Sequence, residues 1–388
     1  MEYFMVMKTT LKLKLLTSPD QHQALLTTLE VFNAACNYLA EVAFDNHTAN
    51  KLKLQKLAYH ETRERFMLPA QLAVRAIAKV CEAYKRDKST RPTFRPHGAA
   101  IYDQRVLSFK GLDTVSILSL SGRLKIPIVV HGYAHDRITA YGMRGQADLL
   151  YQRGTFYLCV VVELPEPPPG ETKDWLGVDL GMVNIATDSD GENFSGAEVN
   201  GLRARHNALR SKLQGKGTKS ARRRLRQQSG RENRFARDVN HRISKKLVAK
   251  AKGTERGISV EDLTGIRERV TVRKAQRRAL HSWGFYQLAS FVEYKAALAG
   301  VPFVKVDPRN TSRTCPWCGH VAKANRPTRD QFLCVSCGLA GPADHFAAVE
   351  IGRRAAVNQP NAAAVISLAA SPKDCNRVVD KTSQKPSG

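Results

Sequence analysis

A chain of 388 residues with 43% hydrophobic content is long enough for two or three domains around a sizeable core. Its 61 Lys and Arg against 35 Asp and Glu leave a net charge of +26, which points to a polyanionic partner, most simply nucleic acid, and to salt-sensitive binding. No apolar stretch is long enough to span a bilayer, and the opening MEYFMVMKTTLKLKL alternates like a strand rather than carrying the apolar core of a signal peptide. These features exclude a membrane partner and point to an intracellular, cytoplasmic protein.

Residues 7–16 alternate apolar and polar, the period of a strand. From Pro19 the apolar positions Leu25, Leu29, Phe32, Ala35, Leu39 and Phe44 fall three to five apart, and a second such run covers 68–84. They predict a helical block over 19–91 with a basic end. Strands are then expected at 106–109, 114–120, 124–130, 138–143, 147–152 and 155–164, punctuated by Gly111, Gly122, Gly132, Gly145 and Gly154. That rhythm suits an antiparallel barrel or sandwich. The simplest arrangement is a barrel formed by 1–18 and 92–165, interrupted by the helices, with a boundary at the stiff PEPPP of 165–169.

The second half opens on WLGVDLGMVNIATDSDG (175–191). Two apolar strands and an Asp190-Gly191 turn carry one carboxylate, Asp179, into a run that must otherwise be buried. Residues 201–252 hold 18 Lys and Arg against only Glu232 and Asp238. Apolar positions recur through them, so two basic helices separated by GKGTK (215–219) are expected to bind phosphates. Their candidate contacts are Arg222, Arg223, Arg224, Arg226, Arg234, Arg237, Arg242, Lys245 and Lys246, joined by Arg273 and Lys274 in a further basic segment at 267–278. A strand at 257–260 ends in Glu261, an amphipathic helix is predicted over 283–299, and a strand follows at 301–306. The second half is thus α/β. Residues 358–388, rich in Ala, Ser, Pro and Lys, are expected to be disordered.

Two constellations carry chemistry. Cys315 and Cys318, then Cys334 and Cys337, form two C-x-x-C pairs fifteen residues apart, each followed by glycine. Four thiolates closing a tetrahedron make a structural zinc ribbon, and with every position taken by Cys no ligand site is left open for water. Cys36, Cys81, Cys159 and Cys375 are read as free thiols. The second constellation is Asp179, Glu261 and Asp344, the last at a helix opening after Gly341-Pro342-Ala343. Three converging carboxylates on an α/β scaffold suit two Mg²⁺ ions and phosphodiester hydrolysis.

LGVDLG at 176–181, GISVEDL at 257–263, TSRTCPWCGH at 311–320, ADHFAAVEIG at 343–352 and the basic stretch 213–251 resemble the insertion-sequence-encoded TnpB (OrfB) family, compact relatives of the type V CRISPR effector nucleases. The resemblance covers about 175–355 by motif and the N-terminal half by domain order. It implies a multidomain α+β and α/β chain with a wedge-type β-barrel and a helical recognition insert. A RuvC-like, RNase H-fold nuclease domain (170–306 and 339–357) follows, with a zinc ribbon at 307–338 that binds target nucleic acid. It further implies RNA-guided cleavage of double-stranded DNA in a prokaryotic cytoplasm, with a guide RNA from the transposon end and a short target-adjacent motif. Asp179, Glu261 and Asp344 would hold Mg²⁺, and one Zn²⁺ would sit in the ribbon. The family usually carries Asn two residues after the third acid, where this chain has Phe346. Two other readings share the charge and the zinc: a guided DNA-binding repressor that does not cut, and an unguided zinc-ribbon DNA-binding protein.

Overall fold

The computed structural model describes residues 6–172, 174–266 and 284–358. The chain divides into two compact units, Met1–Pro165 and Glu166–Gly388. None of the described helices is long and apolar enough to cross a membrane.

The first unit begins with β1 (Val6–Leu15) and three helices, α1 (Pro19–Asp45), α2 (Lys51–Phe66) and α3 (Ala70–Ala83). Ser18 starts α1 through a capping box with Gln21, and Pro19 occupies the first turn, where its missing N–H costs nothing. The chain continues through β2 (Ala100–Asp103), β3 (Leu107–Lys110), β4 (Thr114–Ser119), β5 (Gly122–Val129), α4 (Tyr133–Tyr141), β6 (Arg144–Gln152) and β7 (Thr155–Pro165). All seven strands join one antiparallel sheet in the order β2-β6-β7-β1-β5-β4-β3. The two outermost strands, β2 and β3, are consecutive in sequence with three residues between them. Such a link reaches about 14 Å, whereas a flat sheet of this width spans roughly 29 Å, so the sheet must curl round on itself.

Residues 138–141 of the strand expected at 138–143 form the end of α4 instead, and Gly142 caps it. Ala134, Ile138 and Tyr141 fall three to four apart, only Ile138 is buried, and Gly132 and Gly142 bracket the helix at positive φ. An isolated apolar residue cannot make a strand face. The short β2 was not expected either.

The second unit contains β8 (Trp175–Asp179), β9 (Asn184–Asp188), β10 (Asn193–Ser195), α5 (Ala197–Lys216), α6 (Lys219–Gln228), α7 (Arg231–Gly253), β11 (Gly257–Glu261), α8 (Phe285–Ala299), β12 (Phe303–Val306), a hairpin of β13 (Gln331–Leu333) and β14 (Ala340–Pro342), and α9 (Ala343–Asn358). Three helices, rather than two, cross the basic stretch, because Gly230 at φ 78° interrupts a run that apolar spacing alone reads as continuous. The five-stranded sheet runs β10-β9-β8-β11-β12, antiparallel up to β8 and parallel from β8 through β12. One core cluster brings Leu176, Val178, Ile258 and Val260 together with Val239, Ile243 and Leu247 of α7 and Leu288 and Val292 of α8. Another joins Trp175 and Val306 to Ile351 and Ala355 of α9.

Candidate metal centres

Successive side chains of a strand point to opposite faces. With Leu176 and Val178 committed to the α7–α8 core, Trp175, Gly177 and Asp179 face α9. The parallel register pairs Val178 with Val260, so Glu261 lies beside Asp179 on that same face. Gly177 lets α9 come close: a Cβ there would stand 1.9 Å from the Ala348 carbonyl oxygen and 2.5 Å from the Gly352 nitrogen. Gly352 lies against the Trp175 carbonyl and Ala348 against Gly177, so α9 runs antiparallel to β8. Four helical residues advance about 6 Å and two strand residues about 6.6 Å. One further turn back along α9 therefore brings Asp344 level with Asp179.

The electrostatics agree with this convergence. Burial, then the charges of Glu261 and Asp344, push Asp179 up to about 8, against a smaller downward pull from Arg326 and the Leu180 amide. Burial raises Glu261 as well, opposed by a hydrogen bond from Thr311 and by the charges of Arg354 and Arg326. Asp344 accepts from Asn184 Nδ2 and from Arg326 Nη2, each at 3.1 Å. Arg326 comes from the cysteine-bearing module, so this module supplies the cation paired with Asp344. Three carboxylates held together with so little positive charge form an oxygen-only donor set, which fits hard divalent cations such as Mg²⁺.

Cys315, Cys318, Cys334 and Cys337 gather their sulfurs within 4.8 Å of one another. The Cys315–Cys337 and Cys318–Cys334 sulfurs are 3.6 Å apart, far beyond a disulfide bond and close to the ~3.8 Å edge of a tetrahedron with 2.3 Å metal–sulfur bonds. Zinc fits this site. Two knuckles form it, with Gly319 and Gly338 at positive φ after the second cysteine of each pair. Buried Asn325 ties them together, donating to the Arg313 and His320 carbonyls and accepting from the Val335 amide. Phe346 packs edge-to-face on Phe332, 5.4 Å between centroids, and joins the small core of Cys315, Cys334 and Ala343. The position that departs from the family pattern thus anchors the ribbon on α9, and the amide touching Asp344 comes from Asn184. Cys36, Cys81 and Cys159 are free thiols, and Cys375 lies outside the described residues.

Arg222, Arg223, Arg224 and Arg226 on α6, and Arg234, Arg237, Arg242, Lys245 and Lys246 on α7, are all exposed, while α7 buries Val239, Ile243, Leu247 and Ala251. Arg273, Lys274 and the expected 358–388 tail lie outside the described residues, apart from Asn358 at the end of α9. Sequence reasoning missed Arg326, Thr311 and Asn184. Thr311 lay just ahead of the first cysteine and Asn184 within the 175–191 stretch, whereas nothing near Arg326 marked it.

Two family profiles match the chain: one described as "Probable transposase" (OrfB_IS605) over residues 158–265, and "Cas12f1-like, TNB domain" over 285–351. The chain is 38% identical over 127 residues to the TnpB-like protein MJ0751 of Methanocaldococcus jannaschii, covering 32% of this chain and 45% of that protein. Over that stretch the chain is similar to a TnpB-like protein. It is also 37% identical over 118 residues to the CRISPR-associated endodeoxyribonuclease Cas12f1 of Sulfoacidibacillus thermotolerans, 30% of this chain and 26% of that one. The matched stretch thus spans less than half of either relative. Among solved structures, the Cas12f1–sgRNA–target DNA complex aligns with a TM-score of 0.60 at 12% identity, over 89% of this chain and 99% of that one. At that identity the likeness is one of fold.

Proposed function

We propose that this chain is an RNA-guided, divalent-cation-dependent DNA endonuclease with a RuvC-like catalytic domain. The observation that carries the reading is the meeting of Asp179, Glu261 and Asp344 on the α9 face of the second sheet, at the C-terminal ends of parallel strands β8 and β11. The sheet order, three antiparallel strands and then two parallel ones, supports an RNase H-like domain. Two bound Mg²⁺ ions would supply an activated water and neutralise charge on the departing oxygen. Asp179, Glu261 and Asp344 would hold the cations, Asn184 and Arg326 orient Asp344, and Arg326 offsets part of the acid charge.

The exposed arginines and lysines of α6 and α7 grip the phosphates of guide RNA or of its hybrid with target DNA, and sequence specificity comes from base pairing. The curled N-terminal sheet acts as the wedge-type barrel, α1–α3 as the recognition insert, and the zinc ribbon as the target-binding module. The guide derives from the transposon end, and a short motif beside the target is read by the protein. The test is Asp179→Ala in the RNA-bound protein. Guided cleavage should be lost with target binding kept within a few-fold. A variant that still cuts refutes the site, and equal cutting with and without a guide refutes RNA guidance.

A further inference from the structure

After β12 the chain enters the zinc ribbon through residues 307–314, and this loop is held from two sides. On one side is Arg354 of α9. Its Nη1 donates to the Asp307 carbonyl at 2.9 Å and the Arg309 carbonyl at 2.7 Å, and its Nη2 reaches Thr314 Oγ1 at 3.3 Å. Its own Nε is fixed on Glu350 Oε1 at 2.8 Å, a fully buried carboxylate that also takes two bonds from Arg353. Within the loop, the Arg313 and Thr314 amides and the Thr314 hydroxyl all donate to the Asn310 carbonyl. On the other side is Thr311, 3% exposed, whose hydroxyl donates to Glu261 Oε1 and has the Pro308 carbonyl 3.1 Å behind it.

A carboxylate at the end of a strand can rotate, and a cation needs one of its oxygens in a fixed place. A neutral hydroxyl on Oε1 leaves Oε2 free and sets the plane of the group, the role that outer-layer hydrogen bonds play around metal ligands. We propose that Thr311 is a positioning residue for Glu261, and that Arg354 fixes Thr311 by gripping the carbonyls of its loop. Three residues separate Thr311 from Cys315, so the loop that begins the zinc site also sets one ligand of the cation site. This inference rests on Glu261 being a cation ligand.

The experiment compares Thr311→Val, Thr311→Ser and Arg354→Lys with wild type and Glu261→Ala, all as full-length RNA-bound protein. The Mg²⁺ requirement of guided cleavage is measured, and Mn²⁺ binding is followed by calorimetry with Glu261→Ala as the blank. Valine keeps the shape but not the donor, and should raise both the half-saturating Mg²⁺ and the Mn²⁺ dissociation constant about tenfold or more. Serine should restore both. Lysine at 354 keeps the charge but not the fork on two carbonyls, and should shift them in the same direction as valine. A merely structural threonine would change stability without moving Mn²⁺ affinity. Wild-type Mn²⁺ affinity in Thr311→Val, or equal defects in the valine and serine variants, overturns the proposal. Should Thr311→Val not fold, wild-type Mn²⁺ affinity in Arg354→Lys overturns it. Cleavage by Glu261→Ala at the wild-type rate would sink the nuclease reading itself. A dead Glu261→Ala beside a wild-type Thr311→Val sinks the positioning role alone.

Discussion

Asp179→Asn should stabilise the second unit in buffer free of Mg²⁺, and do so more strongly as the pH rises. In the folded chain Asp179 keeps its proton up to about pH 8, because burial and the neighbouring Glu261 and Asp344 disfavour its charge, whereas the ordinary value is 3.8. A folded-state value raised in this way gives stability that is complete below pH 3.8 and drains away as pH climbs towards 8. At about 1.4 kcal/mol per unit, the loss is about 5 kcal/mol by pH 7.5 and under about 2 kcal/mol at pH 5. Asparagine has no proton to lose and escapes it. Urea unfolding followed by tryptophan emission reads the right unit, since Trp175, Trp283 and Trp317 all lie after Pro165. With a slope of about 2–3 kcal/mol/M, the variant's midpoint should exceed wild type by about 2 M at pH 7.5 and by much less at pH 5. Added Mg²⁺ should then favour wild type, which alone has the full set of acids to bind it. A variant no more stable than wild type at pH 7.5, or a gap that does not change with pH, would refute the electrostatic account.

Gly177→Ala forces a Cβ into the backbone of α9 and should cost more than about 3 kcal/mol, seen as a sharp rise in susceptibility to limited proteolysis. Phe346→Asn removes the ring that joins α9 to Phe332 and should destabilise the ribbon by about 3 kcal/mol, read as faster zinc release to a chromogenic chelator. Replacing Arg222, Arg223 and Arg224 together with alanine should weaken RNA binding regardless of sequence. It should also flatten the log–log salt dependence by about 2–3, and an unchanged slope would mean that α6 does not touch phosphate.

The centre of the second unit was legible because its signals are local. Trp175 to Asp179 shows a buried strand that ends in an acid, and the cysteine spacing leaves few alternatives to a ribbon. What escaped depends on distant partners. Arg326 matters only because the β13–β14 hairpin folds back and delivers it to Asp344, and no residue near it announces this. Ala100–Asp103 is too short to read as a strand until Ala147 and Leu149 of β6 pair with it. The break at Gly230 hides inside a run whose apolar spacing continues on both sides.

The pairing of β1 with β7 sets an order of events during synthesis. Met7 to Lys14 find their partners in Tyr157 to Leu164, so the first strand has no partner on that side until some 150 residues later have been made. At roughly 5–20 residues per second that wait is about 8–30 s, long enough for the local contacts of α1–α3 to form first. β8 waits in the same way for α9, whose residues 343–358 cover Trp175 and Gly177. A ribosome stalled between these points would hold an uncovered apolar strand, the species on which a holding chaperone should act. Profiling nascent chains by protease protection would place the two steps at the emergence of β7 and of α9.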